Sequence, residues 1–484
     1  MRIPPRPARR LAAAVALALC ARGAGAQRAP AAPDAAQAAI PAVAARLLAD
    51  IRYLASDALE GRFTGSPGAD SAAAFVARRF AALRLRPVVV SDEDAARCAS
   101  VQVSSAERAA AGAPRGPAAP ADYPPCAGWM QRFDARSAAL AHAGRGAPLA
   151  TQNVVGLVEG TDPALRGQVV VVGAHYDHLG RETMFATDPK AGAVIHNGAD
   201  DNASGVAAVL ELARRLKARP ARRSVLFVAF SGEELGLLGS RHFLAHSPVP
   251  TDSMAAMLNF DMVGRLQPND RLLVYGTATA AELPALVDSA NAAGPRLAVR
   301  ALGDGTGPSD HASFYLAGMP VLHFFTDQHP DYHAATDDAD KINAPGAARV
   351  VALAEGVLRR VADRAERLTF TRAPTTPRMA QAGPEGRPRP WLGSVPDMGG
   401  EDGLRGLRLQ GVTPDSPADK GGLRAGDVVV ELDGKPVTDL YTYTEALYAR
   451  APGDTVAVVV LRGGANGAAP ERVRAQVTLG RRGE

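Results

Sequence analysis

Residues 168–177 read QVVVVGAHYD, and this stretch decides the fold. After Gln168 the apolar run continues without a break to Ala174, which is typical of a central strand covered on both faces. The run ends at His175, and Asp177 follows two residues later. Open α/β sheets bind their ligands outside the carboxyl ends of the strands. The stretch therefore predicts a buried parallel strand that delivers a histidine and a carboxylate to a site, which we interpret as a metal centre.

The same arrangement recurs further along the chain. Acidic or histidine residues follow strands predicted at 224–230, 255–260 and 321–325, and helical spacing of apolar residues covers 204–217. An alternation of strand, carboxylate-bearing loop and helix is typical of an α/β fold. We predict a doubly wound, mixed and mostly parallel sheet with helices on both faces, followed by a small β-rich domain.

Length and composition indicate how many globular units and what kind of partner to expect. The chain has 484 residues, of which 47% are apolar and 21% charged, so that two or three globular units are expected. Its net charge of +4 comes from 54 basic and 50 acidic residues. The arginines are scattered, and no basic run is interleaved with aromatic residues, so no nucleic-acid partner is expected.

The first 26 residues are predicted to be a signal peptide. Four arginines precede an apolar run at 11–19, and Ala24-Gly25-Ala26 supplies a small-residue cleavage pattern before Gln27. We therefore expect export to the periplasm or the extracellular space. The run is shorter than the ~20 residues needed to span a bilayer, and no transmembrane segment is expected elsewhere. Cys20 leaves open a lipoprotein, which the bulky Leu19 disfavours.

A composition change marks an insertion in the domain predicted at 27–370. Residues 88–149 are rich in Ala, Gly, Pro and Arg, and we expect an irregular loop region or lid. It contains Cys98 and Cys126, which we expect to form a disulfide in an exported protein. The sequence has no C-x-x-C motif or Cys/His cluster, which excludes a thiolate zinc site.

Five candidate metal ligands combine imidazole and carboxylate groups. Such a set without thiolate suits zinc, or less selectively manganese or cobalt. Five ligands are too many for one tetrahedral ion, but they suffice for two ions if one carboxylate bridges them. We therefore predict two Zn²⁺ per chain. The candidates are His175, Asp201, Glu234, Asp261 and His333.

Five sequence motifs occur in the order in which a known protein family has them. They are His-x-Asp at 175–177, Gly-Ala-Asp-Asp-Asn-x-Ser-Gly at 198–205, Gly-Glu-Glu-x-Gly-x-x-Gly-Ser at 232–240, Asn-x-Asp-Met at 259–262 and Asp-Tyr-His at 331–333. Residues from about 40 to 368, without the insertion, resemble the co-catalytic di-zinc exopeptidases. That family includes secreted bacterial leucyl aminopeptidases, aminopeptidase Y, glutamate carboxypeptidase II and, more distantly, glutaminyl cyclases.

The resemblance implies how the ligands are divided. His175, Asp201 and Asp261 would hold one zinc, and Asp201, Glu234 and His333 the other, with Asp201 as the bridge. It also implies a cis peptide bond between Asp201 and Asn202. Asp200 would then be a loop residue or a support for the ligands.

Three further residues receive roles from the same resemblance. Glu233 has no ligand duty and would act as the general base, taking a proton from a metal-bound water. Asp177 would orient the imidazole of His175. Tyr332 would stabilise the oxyanion of the tetrahedral intermediate. Asp310-His311 remain candidates for substrate contact, and we expect the other histidines to be non-ligands, namely His178, His196, His242, His311, His323 and His329.

The carboxyl-terminal part is separate from the peptidase-like region. A Pro/Arg-rich linker is predicted at 371–388. Residues 389–482 resemble the PDZ domains of exported bacterial proteases, on the motifs Ser416-Pro417-Ala418 and 422–429. Such domains bind a peptide C-terminus by strand addition, and the matching carboxylate loop would be Trp391–Ser394. Ser394 stands where an apolar residue is usual, so a structural or lid-like module stays open as the alternative.

These features together predict an exported zinc metallo-exopeptidase that acts on peptides, most simply as an aminopeptidase. A carboxypeptidase or dipeptidase of the same family is the first alternative, and a single-zinc acyltransferase like the glutaminyl cyclases is the second. A non-catalytic binding protein would be expected to lack ligands, whereas all five positions are filled.

Overall fold

A computed structural model describes most of the chain. It describes residues 1, 35–89, 128–137, 140–141, 145–183, 185–186, 193–373, 390–396, 406–413, 415–438, 440–463 and 470–481. The predicted signal peptide after Met1, Cys98, Cys126 and most of the predicted linker lie outside the described residues. Within these ranges, no helix has the length and apolar character needed to cross a membrane.

Helices and strands alternate through the larger domain. Its helices are α1 (Ala35–Leu54), α2 (Pro67–Ala82), α3 (Gly205–Ala218), α4 (Leu238–Ala245), α5 (Leu283–Ala293), α6 (His311–Leu316) and α7 (Ala344–Ala362). Its strands are β1 (Arg86–Pro87), β2 (Met130–Ala135), β3 (Leu149–Val158), β4 (Val169–His175), β5 (Ser224–Phe230), β6 (Met254–Phe260), β7 (Arg271–Tyr275), β8 (Ala298–Ala301) and β9 (Val321–Phe325). Single helical turns occupy Asp57–Arg62, Ala199–Ser204, Thr251–Ser253 and Ala339–Lys341.

The nine strands form one mixed sheet with the order β1-β3-β5-β4-β6-β9-β7-β8, and β2 also pairs with β3. Its centre, β5-β4-β6-β9, is parallel, whereas β3 and β7 run antiparallel to their central neighbours. The predicted α/β class with a mixed sheet is confirmed. Because the four central strands point the same way, the loops that follow them meet at one edge.

Strand β4 is covered on both faces, as its apolar run predicts. Val170 and Val172 lie in a core shared with residues of α1, α3 and α7. Val169 and Val171 lie in the opposite core, which contains Phe243 of α4 and Phe314 of α6. Full burial of each valine stabilises the fold by roughly 1.5 kcal/mol or more. The strand is therefore a rigid support for the residue at its end, His175.

Part of the predicted insertion is regular, which the composition did not reveal. Residues 130–135 form β2, which pairs antiparallel with β3 so that Gln131 lies opposite Asn153. The Asn153 side chain donates to Gln131 at 2.9 Å, and this bond satisfies two buried polar groups. The start of the predicted linker also packs on the domain, since Thr371 N donates to Thr279 O and Ala373 is buried.

The carboxyl-terminal domain is a small antiparallel β structure. Its main sheet has the order β11-β12-β13-β15-β16, with β14 on β13, and β10 pairs with β17. The strands are β10 (Pro390–Trp391), β11 (Ser394–Pro396), β12 (Leu407–Val412), β13 (Val428–Leu432), β14 (Lys435–Pro436), β15 (Thr455–Arg462), β16 (Glu471–Thr478) and β17 (Gly480–Arg481). Two helices complete it, α8 (Pro417–Lys420) and α9 (Leu440–Tyr448).

Candidate metal centre

His175 is the last residue of β4, and its imidazole faces two carboxylates. Its Nε2 atom lies 3.3 Å from Oδ1 of Asp201 and 3.4 Å from Oδ1 of Asp261. Asp261 directly follows β6, the parallel neighbour of β4. The side chain of His175 is 1% exposed. These three residues therefore converge on one point at the carboxyl edge of the sheet, as the sequence predicts.

His333 faces a second pair of carboxylate oxygens. Its Nε2 atom lies 3.2 Å from Oδ2 of Asp201 and 3.1 Å from Oε2 of Glu234. Its Nδ1 atom lies 2.9 Å from the carbonyl oxygen of Phe185. If that nitrogen carries the proton and donates to the carbonyl, Nε2 keeps its lone pair for a metal ion.

Asp201 therefore stands between the two histidines and offers one oxygen to each. The turn that carries it follows Gly198, which has a left-handed φ of 55°, and the Asp201–Asn202 peptide bond is cis. The amides of Asp200 and Asp201 both donate to Oδ2 of Asp337, at 2.9 and 3.0 Å. These bonds fix the turn, and with it the position of the shared carboxylate.

The spacing of the candidate ligand atoms suits zinc. Tetrahedral zinc with bonds of about 2.0–2.1 Å places its ligand atoms about 3.3 Å apart. The four histidine–carboxylate distances at this centre are 3.1 to 3.4 Å. Oδ1 of Asp261 is a buried atom without a hydrogen-bond partner among the described residues, which suits a ligand oxygen. Among the described residues, the three-residue groups able to hold a metal are His175/Asp201/Asp261, His178/Asp201/Glu234 and His175/Glu233/Glu234. The second group contains His178, which was expected to be a non-ligand, in place of the predicted ligand His333.

Asp200 occupies a different place from its neighbour. Its Oδ1 atom accepts hydrogen bonds from Ser204 Oγ at 2.8 Å and from the amide of Gly264 at 2.6 Å. Its Oδ2 atom lies 3.2 Å from Nε2 of His329. Asp200 thus supports the turn instead of facing the ligand histidines, in agreement with what the resemblance implies.

Asp177 lies against His175 with both its backbone carbonyl and its carboxylate, and the carbonyl is the nearer of the two. Nδ1 of His175 lies 3.2 Å from the carbonyl oxygen of Asp177 but 3.8 Å from its Oδ1. The carboxylate accepts from Thr64 Oγ1 at 2.8 Å and from the amide of Glu233 at 3.2 Å. Asp177 therefore orients the imidazole with its carbonyl and positions Glu233 with its carboxylate.

Glu233 lies beside the ligands, farther from His175 than Asp201 and Asp261 are. Its Oε2 atom is 4.0 Å from Nε2 of His175. Burial raises the pKa of Glu233 well above its usual value, and although the charge of His175 opposes this, the neighbouring carboxylates of Glu234 and Asp261 add to it. A carboxyl group with a raised pKa is suited to accept and return a proton near neutral pH.

Tyr332 packs against the second histidine. Its ring stacks on that of His333 with centroids 4.0 Å apart and an interplanar angle of 23°. Burial raises the pKa of Tyr332, and the charges of Asp201 and Glu234 raise it further. The phenol is therefore protonated at neutral pH and can donate a hydrogen bond.

The carboxylates create a strongly negative field at the centre. Burial alone would lower the pKa of His333, but Glu234 and Asp201 raise it to about 12. Burial alone would raise the pKa of Glu234, but His333 and the hydrogen bond with His178 lower it to about 2. A field that stabilises positive charge on imidazole also favours cations, and a metal must displace the histidine proton to bind.

Comparison with known proteins agrees with this geometry. Residues 153–357 match Peptidase family M28, and residues 390–469 match the PDZ domain family. The chain carries an M28 peptidase domain. The predicted resemblance to zinc exopeptidases with a carboxyl-terminal PDZ domain is confirmed, and the matched residues lie inside the predicted domains.

Curated relatives of the M28 domain include two aminopeptidases. Aminopeptidase YwaD of Bacillus subtilis (strain 168) is 29% identical over 201 residues, which is 40% of this chain and 41% of that protein. The probable leucine aminopeptidase 2 of Aspergillus oryzae (strain ATCC 42149 / RIB 40) is 29% identical over 187 residues, 36% of this chain and 34% of that protein. The alignments thus span less than half the length of these relatives.

Solved structures show a distant likeness. The LapA aminopeptidase of Legionella pneumophila has 18% identity and a TM-score of 0.46, and the match covers 68% of this chain and 74% of that one. A glutaminyl cyclase of Bacteroides thetaiotaomicron has 17% identity and a TM-score of 0.49, with 65% and 97% covered.

Three residues support the centre although the sequence indicated no specific role for them. His178, expected to be a non-ligand, has its Nδ1 atom 2.7 Å from Oε1 of Glu234. Arg62 is buried beneath the ligand segments, and Asp337 anchors the turn of Asp201. Their signals in the sequence were weak: a Gly-Arg pair in a turn, a histidine after Asp177, and an acid four residues after His333.

The candidate substrate-contact pair begins α6 of the M28 domain. Asp310 and His311 are both buried. Burial raises the pKa of Asp310 to about 7, although the charge of His175 opposes the shift. His311 stacks on His323 with ring centroids 4.4 Å apart. Substrate contact by this pair stays a prediction.

Proposed function

We propose that the protein is an exported aminopeptidase with two zinc ions per chain. The observation that carries this proposal is the position of Asp201, whose two oxygens face His175 and His333 at 3.3 and 3.2 Å. A carboxylate so placed can bridge two ions, as in two-metal hydrolases. The M28 match and the relatives named as aminopeptidases support the reaction class.

The residues around the ligands fit peptide hydrolysis. Zinc bound here would polarise the scissile carbonyl and lower the pKa of the attacking water. Glu233, positioned through its amide by Asp177, takes the proton from that water and passes it to the leaving amine. Tyr332 donates its phenolic hydrogen to the oxyanion of the tetrahedral intermediate.

The test separates metal binding from proton transfer. Glu233→Gln keeps the shape of the side chain but cannot accept the proton, so its zinc content should equal that of the wild type while turnover falls by about 100-fold or more. Glu159→Gln, on an exposed residue, serves as the control and should retain full activity. Unchanged turnover in Glu233→Gln would contradict its role as the general base.

A substrate panel distinguishes the related reactions. Aminoacyl-nitroanilides should be hydrolysed faster than peptides that expose only a carboxyl terminus. Dipeptides should not be hydrolysed faster than longer peptides with a free amino terminus. A carboxypeptidase or dipeptidase would reverse this order. A glutaminyl cyclase-like acyltransferase would contain one zinc per chain, so two zinc ions in the active protein would argue against it.

Export is proposed from the sequence alone. The arginines before the apolar run and the Ala24-Gly25-Ala26 pattern support secretion with cleavage before Gln27. Fractionation of the producing cells with amino-terminal sequencing tests this, and a lipid-modified Cys20 would instead indicate a lipoprotein. Mass spectrometry without reduction should show Cys98 joined to Cys126.

The PDZ domain is proposed to bind peptide C-termini. Its carboxylate loop precedes β11, which lies at an edge of the sheet and can accept a peptide strand. Binding of peptides with a free C-terminus, and loss of binding on amidation, would support this. No binding of either form would favour a structural role.

A further inference from the structure

Arg62 is a completely buried cation whose donors are used by backbone carbonyls. Its Nε atom donates to Tyr176 O at 2.8 Å, and its Nη2 atom donates to Gly198 O at 3.0 Å. Its Nη1 atom donates to Leu54 O at 2.5 Å and to Asn197 O at 2.7 Å. The side chain is 0% exposed. One guanidinium therefore ties together three segments that are distant in sequence.

Two of those segments carry the metal ligands. Tyr176 directly follows His175, and Gly198 begins the turn that leads to Asp201. The backbone of Arg62 adds a further link, because the amide of His178 donates to Arg62 O at 3.2 Å. The contacts of Arg62 thus fix the histidine of one ligand group relative to the shared carboxylate.

The position of Arg62 is unfavourable by itself, which indicates a specific role. Glu60, Gly61 and Arg62 have φ values of 46°, 69° and 53°, a region that non-glycine residues rarely adopt. Burial lowers the pKa of Arg62 to about 10, although the charges of Asp201 and Asp177 oppose this. The guanidinium therefore stays charged at neutral pH, and taking it out of water is costly.

Carboxylates near the metal centre favour the positive charge of Arg62. The carboxylates that favour its charged form include Asp201, Asp177, Asp337 and Glu234, all at or next to the metal centre. A fixed cation beneath the ligands reduces the mutual repulsion of these carboxylates while leaving their oxygens free for other partners.

We propose that Arg62 is a positioning residue for a divalent-cation centre: its guanidinium fixes the segments of His175 and Asp201 against each other, and its charge offsets the gathered carboxylates, so that the ligand set is formed before the metal binds. This role rests on the proposed binding of zinc. Arg62 acts on the metal only through the backbone and the electrostatic field, since none of its donors contacts a ligand side chain.

The experiment compares two buried arginines of the full-length protein. Arg223 directly precedes β5, at the end of that strand opposite the centre, and it is 1% exposed. Its guanidinium donates to the carbonyls of Val361 and Ala365. Each arginine is replaced by lysine, which keeps the charge but loses the planar guanidinium with its several donors, and by glutamine, which loses the charge. Zinc affinity is measured by competition with a chelator, and thermal stability is measured on the metal-free protein.

The two positions should respond differently. Arg62→Lys and Arg62→Gln should weaken zinc binding about tenfold or more, with the larger loss for glutamine, and excess zinc should restore much of the turnover. Amide exchange of metal-free Arg62 variants should rise in residues 175–178 and 197–204. Arg223→Lys and Arg223→Gln should lower thermal stability without changing zinc affinity or exchange in those segments.

The outcomes also separate this role from the proposed function. A wild-type protein that binds no zinc would contradict the proposed function, whereas the exchange comparison does not require metal. If both Arg62 variants keep wild-type exchange in the two segments and wild-type zinc affinity, the positioning role is refuted. Equal loss of zinc affinity in the Arg62 and Arg223 variants would refute it as well, because a general loss of stability would then account for the effect.

Discussion

Nδ1 of His178 lies 2.7 Å from Oε1 of Glu234, on the oxygen that does not face His333. The ring of His178 is buried, and a Cβ atom at Gly198 would come within 2.5 Å of it, so the glycine backbone packs directly on the imidazole. The left-handed φ of 55° at Gly198 also favours glycine. His178 is therefore held in place, and it directs Glu234 to offer a single oxygen, Oε2, to the metal centre.

The first prediction concerns this hydrogen bond. His178→Ala removes the donor and should weaken zinc binding at the His333 side about tenfold, since the loss of such supporting bonds typically costs 10–100-fold. His178→Asn places an amide N–H near the position of Nδ1 and should stay close to the wild type. Stepwise zinc titration measures both. Equal affinities for the alanine and asparagine variants would contradict the proposed bond.

Asp201 and Asp200 provide a second, internally controlled prediction. Asp201→Asn replaces one carboxylate oxygen by an amide nitrogen at the shared position, and zinc should fall from two ions to one or none per chain. Asp200→Asn keeps an oxygen acceptor for Ser204 and Gly264 and should retain two ions. Elemental analysis of both purified proteins is the measurement. The opposite pattern would show that the bridge was assigned to the wrong aspartate.

The fold was predictable because its signals are local and repeated. The apolar run 169–174 specifies a central strand, and its two faces alternate between two cores. Strand β2 was missed because the Ala-, Gly- and Pro-rich residues around it obscure the pattern and because its order comes from pairing with β3. Such pairing is a tertiary effect that no short window of sequence shows.

The site was predictable at the level of residues but not of atoms. The motifs identified the residues that converge, yet the sequence does not show that Asp177 meets His175 through its carbonyl. The role of Arg62 could not be predicted for the same reason, because its partners are backbone carbonyls, which every residue has. Residue identity specifies the chemistry of a side chain, and the folded backbone decides which atom is used.

The third prediction concerns stability in acid. Glu211 of α3 is 3% exposed and accepts hydrogen bonds from Arg46, Arg214 and Arg215. Burial alone would raise its pKa, but the hydrogen bonds from Arg214 and Arg46 lead the effects that lower it from 4.5 to about 2. Because the folded pKa lies below the unfolded value, the stabilisation is fully present above pH 4.5 and is lost as the pH falls towards 2.

Glu211→Gln should therefore destabilise the peptidase domain by roughly 2 kcal/mol at neutral pH, a value reduced for the solvent around the partly exposed arginines. Between pH 5 and pH 2 the difference from the wild type should shrink, because the wild type loses the same interaction. Denaturant unfolding at several pH values measures this. Glu159→Gln is the control, and a difference that stays constant down to pH 2 would contradict the assignment.

The fourth prediction concerns the PDZ domain, where Ser394 Oγ and Tyr443 Oη lie 2.5 Å apart. Ser394 begins β11, and Tyr443 lies on α9, so this bond links the strand that would receive a peptide to the neighbouring helix. If the peptide of the proposed function binds between this strand and this helix, it would have to separate the two side chains. The bond would then oppose binding by about 1 kcal/mol, the usual net value of a hydrogen bond.

Tyr443→Phe removes the hydroxyl but keeps the buried ring, and it should strengthen peptide binding about fivefold, which corresponds to that free energy. Fluorescence polarisation with a labelled peptide that has a free C-terminus measures the affinity. Tyr448→Phe, on the same helix but 44% exposed, is the matched control and should bind as the wild type does. Weaker binding by Tyr443→Phe would contradict this prediction. It would show that the hydroxyl contacts the peptide directly, because removing a favourable contact lowers the affinity.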